Sequence, residues 1–427
     1  AALVVLLSGC SSFETLTSPF SAPSPREVYL RGLEQADLTA TAMARSWIEA
    51  GDRALAQALP LEGAMHEVLY FDPAEPRAVA YRIDLHRGER LEVRVTPPAG
   101  APALFFDGFR PATPPEDEPE PVRLDEADDG WVREVRDDET LILRLQPQLL
   151  AGGAYDVALV VAGSLAFPVE GRDRRAVGSV FGDPRDGGAR RHEGVDIFAP
   201  RGTPAVAADE GFVTRTGTNR LGGNVVWVRT DGGLALYYAH LDSVSTHLGS
   251  RVAPGDPLGT VGNTGNARTS PPHLHFGVYD GGAVDPLPFF GRGREAPPVT
   301  ADQAVLGRFL RIQRDGVRVR SEPSTRGEIV AELPRGTALE AVGARRDWYR
   351  FEVPGGPTGY VAGWLTEPTD RPLSRRRLEM PEPLHARPAA NAAVIALLLA
   401  GQEVEILGSL DGRLLVRSDA GQGWIEG

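Results

Sequence analysis

The spacing of hydrophobic residues changes along the chain, and each change predicts a different kind of structure. Between residues 26 and 65, apolar residues recur at loosely helical spacing, which predicts a helix or a helical hairpin. Between residues 66 and 170, polar and apolar residues alternate in short runs, such as residues 91–95. Alternation of this kind is typical of strands with one buried face. We therefore expect a β-sandwich in this region, with the acidic, Pro-rich stretch 111–130 as a loop.

The C-terminal region repeats itself at a spacing of 65 residues, which predicts two small domains of one kind. Four positions carry the same residue type in both copies: Pro323, Leu333, Gly336 and Gly343 recur as Pro388, Leu398, Gly401 and Gly408. The run 317–323, Trp348-Tyr349 and Gly359-Tyr360-Val361 together resemble a bacterial SH3-type domain. We expect SH3-like domains at 308–368 and 378–427, the second with a degenerate first strand.

Composition fits a turn-rich chain of several domains. Domains of ~100–200 residues are typical, so a chain of 427 residues predicts three or four units. The 49 Gly and 36 Pro favour many short strands over long helices. A formal net charge of −13 argues against a nucleic-acid partner, because binding to phosphates needs clustered Lys and Arg. The fold class predicted is mainly β and multidomain.

The only cysteine is Cys10, so any metal site within the chain must use His and carboxylate ligands. It closes an apolar run far shorter than the ~20 residues of a membrane-spanning helix, and residues 1–10 look like the remnant of a secretory signal. Leu7-Ser8-Gly9-Cys10 resembles the bacterial lipobox, whose Cys is lipidated; the alternative is an incidental thiol. Residues 11–25, rich in Ser, Thr and Pro, are predicted to be a flexible linker.

Histidines cluster in one part of the chain, where five of the eight lie between His192 and His275. His192 and Asp196 are four positions apart, and His273 and His275 are two apart. In an extended strand, side chains at these spacings share one face. Imidazole nitrogens and a carboxylate oxygen are suitable ligands for zinc, and a catalytic zinc site uses three protein ligands. The spacing therefore favours a zinc site, although neither pair is specific alone.

Motifs around these histidines occur in a characteristic order. They comprise Phe181-Gly182-Asp183-Pro184-Arg185, His192-Glu193-Gly194-Val195-Asp196, Gly223-Asn224-Val225-Val226, Tyr238-Ala239-His240-Leu241, Val261-Gly262-Asn263-Thr264-Gly265 and His273-Leu274-His275-Phe276. Together they closely resemble the lysostaphin/LytM-type metallopeptidases, family twenty-three of that class. The resemblance covers residues 175–290 and implies a zinc metallopeptidase domain with a groove over an antiparallel β-sheet.

The resemblance also implies a role for each matched residue. His192, Asp196 and His275 match the family's zinc ligands. His240 and His273 match two further histidines beside the metal, one acting as general base and the other stabilising the oxyanion or protonating the leaving amine. The sequence does not assign these two roles. Tyr238 is two positions from His240, and it is either a hydrogen-bonding support for the site or a packed aromatic residue.

The leading functional hypothesis is a zinc-dependent endopeptidase that hydrolyses peptidoglycan cross-link peptides. The sandwich weakly resembles the pre-peptidase domains of secreted proteases, and the SH3-like domains either bind the wall or pack against neighbouring domains. The lipobox predicts a cell-envelope lipoprotein on the periplasm-facing side of the outer membrane, with the lipid as its only membrane contact. The alternative is a non-catalytic regulator that activates an envelope amidase. A third hypothesis is a wall-anchored scaffold.

Overall fold

The computed structural model describes residues 23–427 except 103, 113–116, 128–129, 292–295, 354–355, 357 and 390–391. Strands account for 48% and helices for 11% of the structure, which confirms the mainly β, multidomain prediction. Cys10 and most of the predicted linker lie outside the described residues. Within the described ranges, no helix combines the length and the apolar character that a membrane crossing requires.

Two helices begin the described part of the chain, α1 at Pro25–Gln35 and α2 at Ala42–Ala56. Ser24 starts α1 with a capping box, in which its hydroxyl accepts from Glu27 N and the Glu27 carboxylate accepts from Ser24 N. Trp47 of α2 is buried, and its indole N–H donates to the carbonyl of Pro147 at 2.8 Å. This contact fixes the helical hairpin on the domain that follows.

That domain is a β-sandwich of two five-stranded layers. Its strands are β1 Leu59–Pro60, β2 Met65–Phe71, β3 Val79–Leu85, β4 Glu89–Thr96, β5 Phe105–Arg110, β6 Glu120–Val122, β7 Asp125–Ala127, β8 Gly130–Glu134, β9 Glu139–Gln146 and β10 Gly153–Gly163. The layers have the orders β1-β3-β9-β5-β6 and β2-β10-β4-β8-β7. The stretch predicted as a loop contains the edge strands β6 and β7. The change to the next domain follows Gly163, earlier than residue 170, because Leu165 and Val169 pack into the next core.

The central domain is built on one eight-stranded antiparallel sheet. Its strands are β11 Val177–Ser179, β12 Pro184–Arg185, β13 Arg190–Arg191, β14 Val195–Phe198, β15 Pro204–Val206, β16 Gly211–Asn219, β17 Gly223–Thr230, β18 Ala235–Leu241, β19 Ser243–Val244, β20 Arg251–Val252, β21 Pro257–Thr260, β22 His273–Tyr279 and β23 Ala283–Val284. The main sheet has the order β11-β14-β22-β18-β17-β16-β20, with β23 also paired to β22. A three-stranded sheet, β15-β21-β19, packs beside it.

The C-terminal region contains two units with the same strand order, as the sequence repeat predicts. The first has β24 Phe309–Ile312, β25 Val317–Arg320, β26 Ile329–Leu333, β27 Ala338–Arg345, β28 Trp348–Glu352, β29 Thr358–Ala362 and β30 Thr366–Pro368; the second has β31 Ser374–Arg377, β32 Glu382–His385, β33 Val394–Leu398, β34 Glu403–Leu410, β35 Arg413–Ser418 and β36 Gly421–Glu426. The orders are β26-β25-β29-β28-β27 and β33-β32-β36-β35-β34. The second unit begins at Ser374 rather than at residue 378, because β31 pairs with β34.

The sandwich and the first C-terminal unit share one hydrogen-bonded sheet. Strand β2 pairs antiparallel with β27, with Leu69 opposite Gly343. A side chain at position 343 would crowd this contact, since an added Cβ would lie 3.1 Å from the carbonyl oxygen of Val68. The joint sheet therefore has twelve strands.

A buried ion pair lies where the two domains meet. The Glu67 carboxylate is fully buried and accepts hydrogen bonds from the hydroxyls of Tyr81 at 2.7 Å and Tyr360 at 2.8 Å. Arg350 Nη1 lies 3.5 Å from Glu67 Oε1 and donates to the Tyr81 hydroxyl. Burial raises the pKa of both tyrosines, so both remain hydroxyl donors at neutral pH. Each of these four side chains therefore forms at least one hydrogen bond within the cluster.

Glu67→Gln is expected to destabilise the protein, because it leaves the Arg350 charge buried without its counter-charge. Loss of one partner of a buried pair costs about 3–5 kcal/mol. The measurement is the urea unfolding midpoint, with Glu49→Gln as control. Glu49 forms an exposed pair with Arg53 on α2, and such a pair contributes at most about 1 kcal/mol. Equal shifts in both variants would contradict the role assigned to the Glu67 cluster.

Candidate metal centre

The register of two neighbouring strands places an acid directly beside a histidine. Strands β14 and β22 pair antiparallel with Asp196 opposite His275. His273 and His275 are two positions apart in β22, so their side chains point to the same face. Strand β18 pairs on the other side of β22 and ends near His240. Side chains from the three strands β14, β22 and β18 therefore lie close together on one face of the sheet.

His192 reaches the same place by a different route from the one predicted. It lies before β14, in a segment without regular structure, so the prediction of an extended strand shared with Asp196 is wrong. Its backbone N–H donates to the carbonyl of Asp183 at 2.9 Å, and its carbonyl accepts from Gly182 N at 2.8 Å. These bonds hold the segment against the preceding loop and turn the imidazole toward Asp196.

Three ligand atoms meet in a small triangle. His192 Nε2 lies 3.0 Å from Asp196 Oδ1 and 2.9 Å from His275 Nδ1, and the last two atoms are 3.1 Å apart. Tetrahedral bonds of ~2.0–2.1 Å, as zinc forms, place ligand atoms ~3.3–3.4 Å apart. The triangle is within a few tenths of an ångström of that spacing.

The protonation of His192 also suits a cation. Its Nδ1 donates to the carbonyl of Val180 at 2.8 Å, so Nε2 presents a lone pair to the triangle. A carboxylate oxygen and a second imidazole nitrogen face the same point. Three electron-rich atoms this close fit a shared cation, and this donor set fits zinc.

Arg185 holds the other oxygen of the Asp196 carboxylate. Its Nη2 donates to Asp196 Oδ2 at 2.9 Å and to Ser179 Oγ at 2.6 Å. Burial acts to raise the pKa of Asp196, but the neighbouring imidazoles of His192 and His275 outweigh it and hold that pKa well below its usual value. No spacing along the sequence singled out Arg185, although it lies in one of the recognised motifs.

His240 and His273 lie beside the triangle, and backbone carbonyls fix the orientation of both rings. His240 Nδ1 donates to Thr264 O and His273 Nδ1 donates to Pro271 O, each at 2.9 Å. Their ring centroids are 5.0 Å apart, and His273 Nε2 is 3.9 Å from Asp196 Oδ1. Burial, and then the charges of His273 and His275, lower the pKa of His240 to about 4. His240 is therefore neutral at pH 7, with a lone pair on Nε2.

The backbone of His240 is strained, with a φ of 61° in the left-handed region that non-glycine residues seldom adopt. Its N–H donates to Gly222 O at 2.7 Å. Thr264 supports it through a hydroxyl that donates to Leu241 O and accepts from Asn224 N. Residue 223 must be a glycine here, because its φ is 63° and an added Cβ would lie 2.2 Å from Thr264 Oγ1. No spacing in the sequence indicated this contact of Thr264.

Tyr238 does not support the site through a hydrogen bond. It is fully buried in the core, where its hydroxyl accepts from Ala208 N at 2.9 Å and its ring packs on Phe276. Although they are two positions apart, Tyr238 and His240 do not share one face of the strand. The pairing of β17 with β18 shifts register after Tyr238, and the positive φ of His240 turns its side chain away. The packed-aromatic alternative describes Tyr238. Its neighbour Tyr237 is the tyrosine that contacts His275, at a ring distance of 5.8 Å.

Two parts of the chain match known protein families. Residues 190–286 match the family "Peptidase family M23", and residues 315–367 match "Bacterial SH3 domain". The L-Ala--D-Glu endopeptidase of Bacillus subtilis (strain 168) is 39% identical over 139 residues, which cover 30% of this chain and 43% of the relative. The Peptidoglycan DD-endopeptidase ShyC of Vibrio cholerae is 38% identical over 108 residues, which cover 24% of each.

Among solved structures, the catalytic domain of lysostaphin from Staphylococcus simulans is 32% identical, with 26% of this chain and 90% of that chain covered and a TM-score of 0.25. The chain spans less than half the length of the two curated relatives. The matched residues 190–286 contain His192, Asp196, His240, His273 and His275. The chain contains a peptidase family M23 domain, of the lysostaphin/LytM type, and a bacterial SH3 domain.

Proposed function

We propose that the protein is a zinc-dependent endopeptidase that hydrolyses peptidoglycan cross-link peptides in the cell envelope. The observation that carries this proposal is the pair of histidines, His240 and His273, whose Nε2 lone pairs lie beside the triangle of His192, Asp196 and His275. A structural metal site needs only its ligands. Two further oriented, buried imidazoles are the groups that proton transfer requires.

His192 Nε2, Asp196 Oδ1 and His275 Nδ1 would hold the zinc, and Arg185 would keep the carboxylate oriented. Zinc, when bound, supplies a Lewis acid that polarises a carbonyl and lowers the pKa of water to ~7. The Nε2 atoms of His240 and His273 are proton acceptors as long as Nδ1–H is held by a carbonyl. One imidazole accepts a proton from the attacking water at Nε2, and an imidazole that carries a proton on Nε2 stabilises the oxyanion or delivers that proton to the leaving amine.

The substrate proposal rests on the relatives, both of which are named as endopeptidases and one as a peptidoglycan DD-endopeptidase. A bond between D-alanine and a diamino acid is the cross-link expected for a thin, directly cross-linked wall. We propose that the SH3-like units bring the enzyme to the wall. Lipidation of Cys10 stays a prediction from the sequence, and it would hold the protein on the periplasm-facing side of the outer membrane.

His192→Ala is expected to abolish zinc binding, because two ligands do not replace three. The measurement is the zinc content of the purified full-length chain by atomic emission, after dialysis against a trace of zinc. The control is His247→Ala, which removes an exposed loop histidine away from the motifs and should retain the wild-type zinc content. Equal zinc content in His192→Ala and the wild type would show that the proposed ligands are not the site.

His240→Ala and His273→Ala are each expected to keep their zinc and to release amino groups from purified sacculi ~10²–10⁴-fold more slowly, the usual contribution of a general acid or base. Both zinc content and amino-group release should be measured on each variant. Zinc-loaded wild type without cleavage would overturn the endopeptidase proposal and favour the amidase regulator, which amidase activation assays would then test.

Thr264→Val is expected to lower sacculus cleavage ~10²-fold with zinc retained, because it removes two hydroxyl bonds from the residue whose carbonyl orients His240, and small misplacements of a catalytic group are this costly. Thr264→Ser keeps the hydroxyl and should restore most of the activity. The rate should fall through kcat while KM changes little, as measured on a soluble cross-linked peptide. A loss in Thr264→Ser as large as in Thr264→Val would refute the role of the hydroxyl.

A further inference from the structure

Strand β33 in the second SH3-like unit exposes an unusual amount of apolar surface. It is the last strand of its sheet, and within the described residues its ladder pairing is with β32 alone. Four large apolar side chains in or next to this strand are between 50% and 63% exposed: Val394, Ile395, Leu397 and Leu399. Met380, just before β32, is 65% exposed as well. An edge strand with this composition offers both apolar area and free backbone groups.

The internal repeat provides a control for this observation. Strand β26 of the first unit stands 65 positions earlier, at the same edge of the same sheet order. Both edge strands also carry the same bulge, since the pairing skips Val330 in one and Ile395 in the other. The backbone of the two edges is therefore alike, and any difference between them lies in the side chains.

The side chains of the two edges differ in their charge and in their proline content. These are the properties that decide whether an exposed edge strand pairs with another chain. Four positions change from charge or proline to an apolar residue: Glu328, Glu332, Pro334 and Arg335 in the first unit correspond to Ala393, Leu397, Leu399 and Ala400 in the second. Charges and proline are the means by which exposed edges avoid joining other strands. The first unit keeps this protection and the second has none.

We propose that β33 pairs antiparallel with β33 of a second copy of this chain, so that two six-stranded sheets join edge to edge. In an antiparallel pair of identical strands, the two ends of one copy lie against the opposite ends of the other, so like charges near both ends approach each other. Residues 388–402 contain no charged residue at all, whereas β26 would bring Glu328 and Glu332 against the same residues of the other copy. A second copy is thus compatible with β33 and incompatible with the equivalent strand of the first unit.

The charge of the whole molecule makes an uncharged edge important for any contact between two copies. With a net charge of −13, two copies repel each other over most of their surfaces. The uncharged β33 edge is a place where they can approach without adding like charges to the contact. One strand edge and its apolar stripe are smaller than a standard interface of ~800 Å² per partner, so the dissociation constant should be on the order of micromolar.

The test is sedimentation velocity of the full chain across the range from about 0.5 to about 100 μM, which brackets that dissociation constant. The wild type should change from monomer to dimer across this range. Leu397→Glu restores the residue of the first unit, and Leu399→Arg adds a charge two positions away; both should remain monomeric at the highest concentration. Both side chains are exposed, so the unfolding midpoints should match the wild type.

The matched control is Leu248→Glu, which changes an equally exposed leucine in a loop of the peptidase domain and should dimerise like the wild type. A wild type that is monomeric at every concentration would overturn the proposal, and so would dimers of Leu397→Glu and Leu399→Arg as strong as those of the wild type. Wild-type monomers that instead sediment with phosphatidylglycerol vesicles would reassign the patch to a lipid surface. None of these outcomes depends on zinc or on peptidase activity.

Discussion

Pairing of β14 with β22 in one register is the constraint on which the candidate site depends. It sets Asp196 beside His275, and a slip of one residue would turn the carboxylate to the core face of the sheet. The buried residues Val195, Ile197, Leu274 and Phe276 alternate with the ligands and make such a slip costly. The hydrophobic core therefore specifies the geometry of the polar face above it. Backbone carbonyls from the loops then orient His192, His240 and His273.

The sequence predicted the parts of the site that follow from local periodicity. His273 and His275 share a face because they lie in one regular strand, and the order of the motifs identified His192, Asp196 and His240 as their companions. It failed where the backbone is irregular. His192 lies outside a strand, and the shifted pairing and positive φ near His240 separate it from Tyr238. Arg185 and Thr264 act through contacts between separate segments of the chain, and no spacing in a single sequence encodes those contacts.

For the domains as well, local sequence patterns predicted the elements, whereas features that depend on long-range pairing were not predictable. Alternation predicted the sandwich strands, and the repeat predicted two units of one topology. The predicted boundaries at residues 170 and 378 differ from the positions in the structure, where the changes follow Gly163 and precede Ser374. Each position depends on a core or a strand whose partners lie elsewhere in the chain. The hydrophobic pattern did not predict the shared sheet between β2 and β27. An edge strand and a strand paired on both sides can have the same alternation of polar and apolar residues.

Because they share this sheet, the sandwich and the first SH3-like unit are not separable domains. Excision of the first SH3-like unit would expose the β2 edge and leave Glu67 buried without Arg350, and excision of the sandwich would do the reverse. Either domain, transferred alone, would lose both its partner strand and the partner of its buried charge. A fragment cut between the two domains would therefore expose an unpaired strand edge, which favours association with other chains.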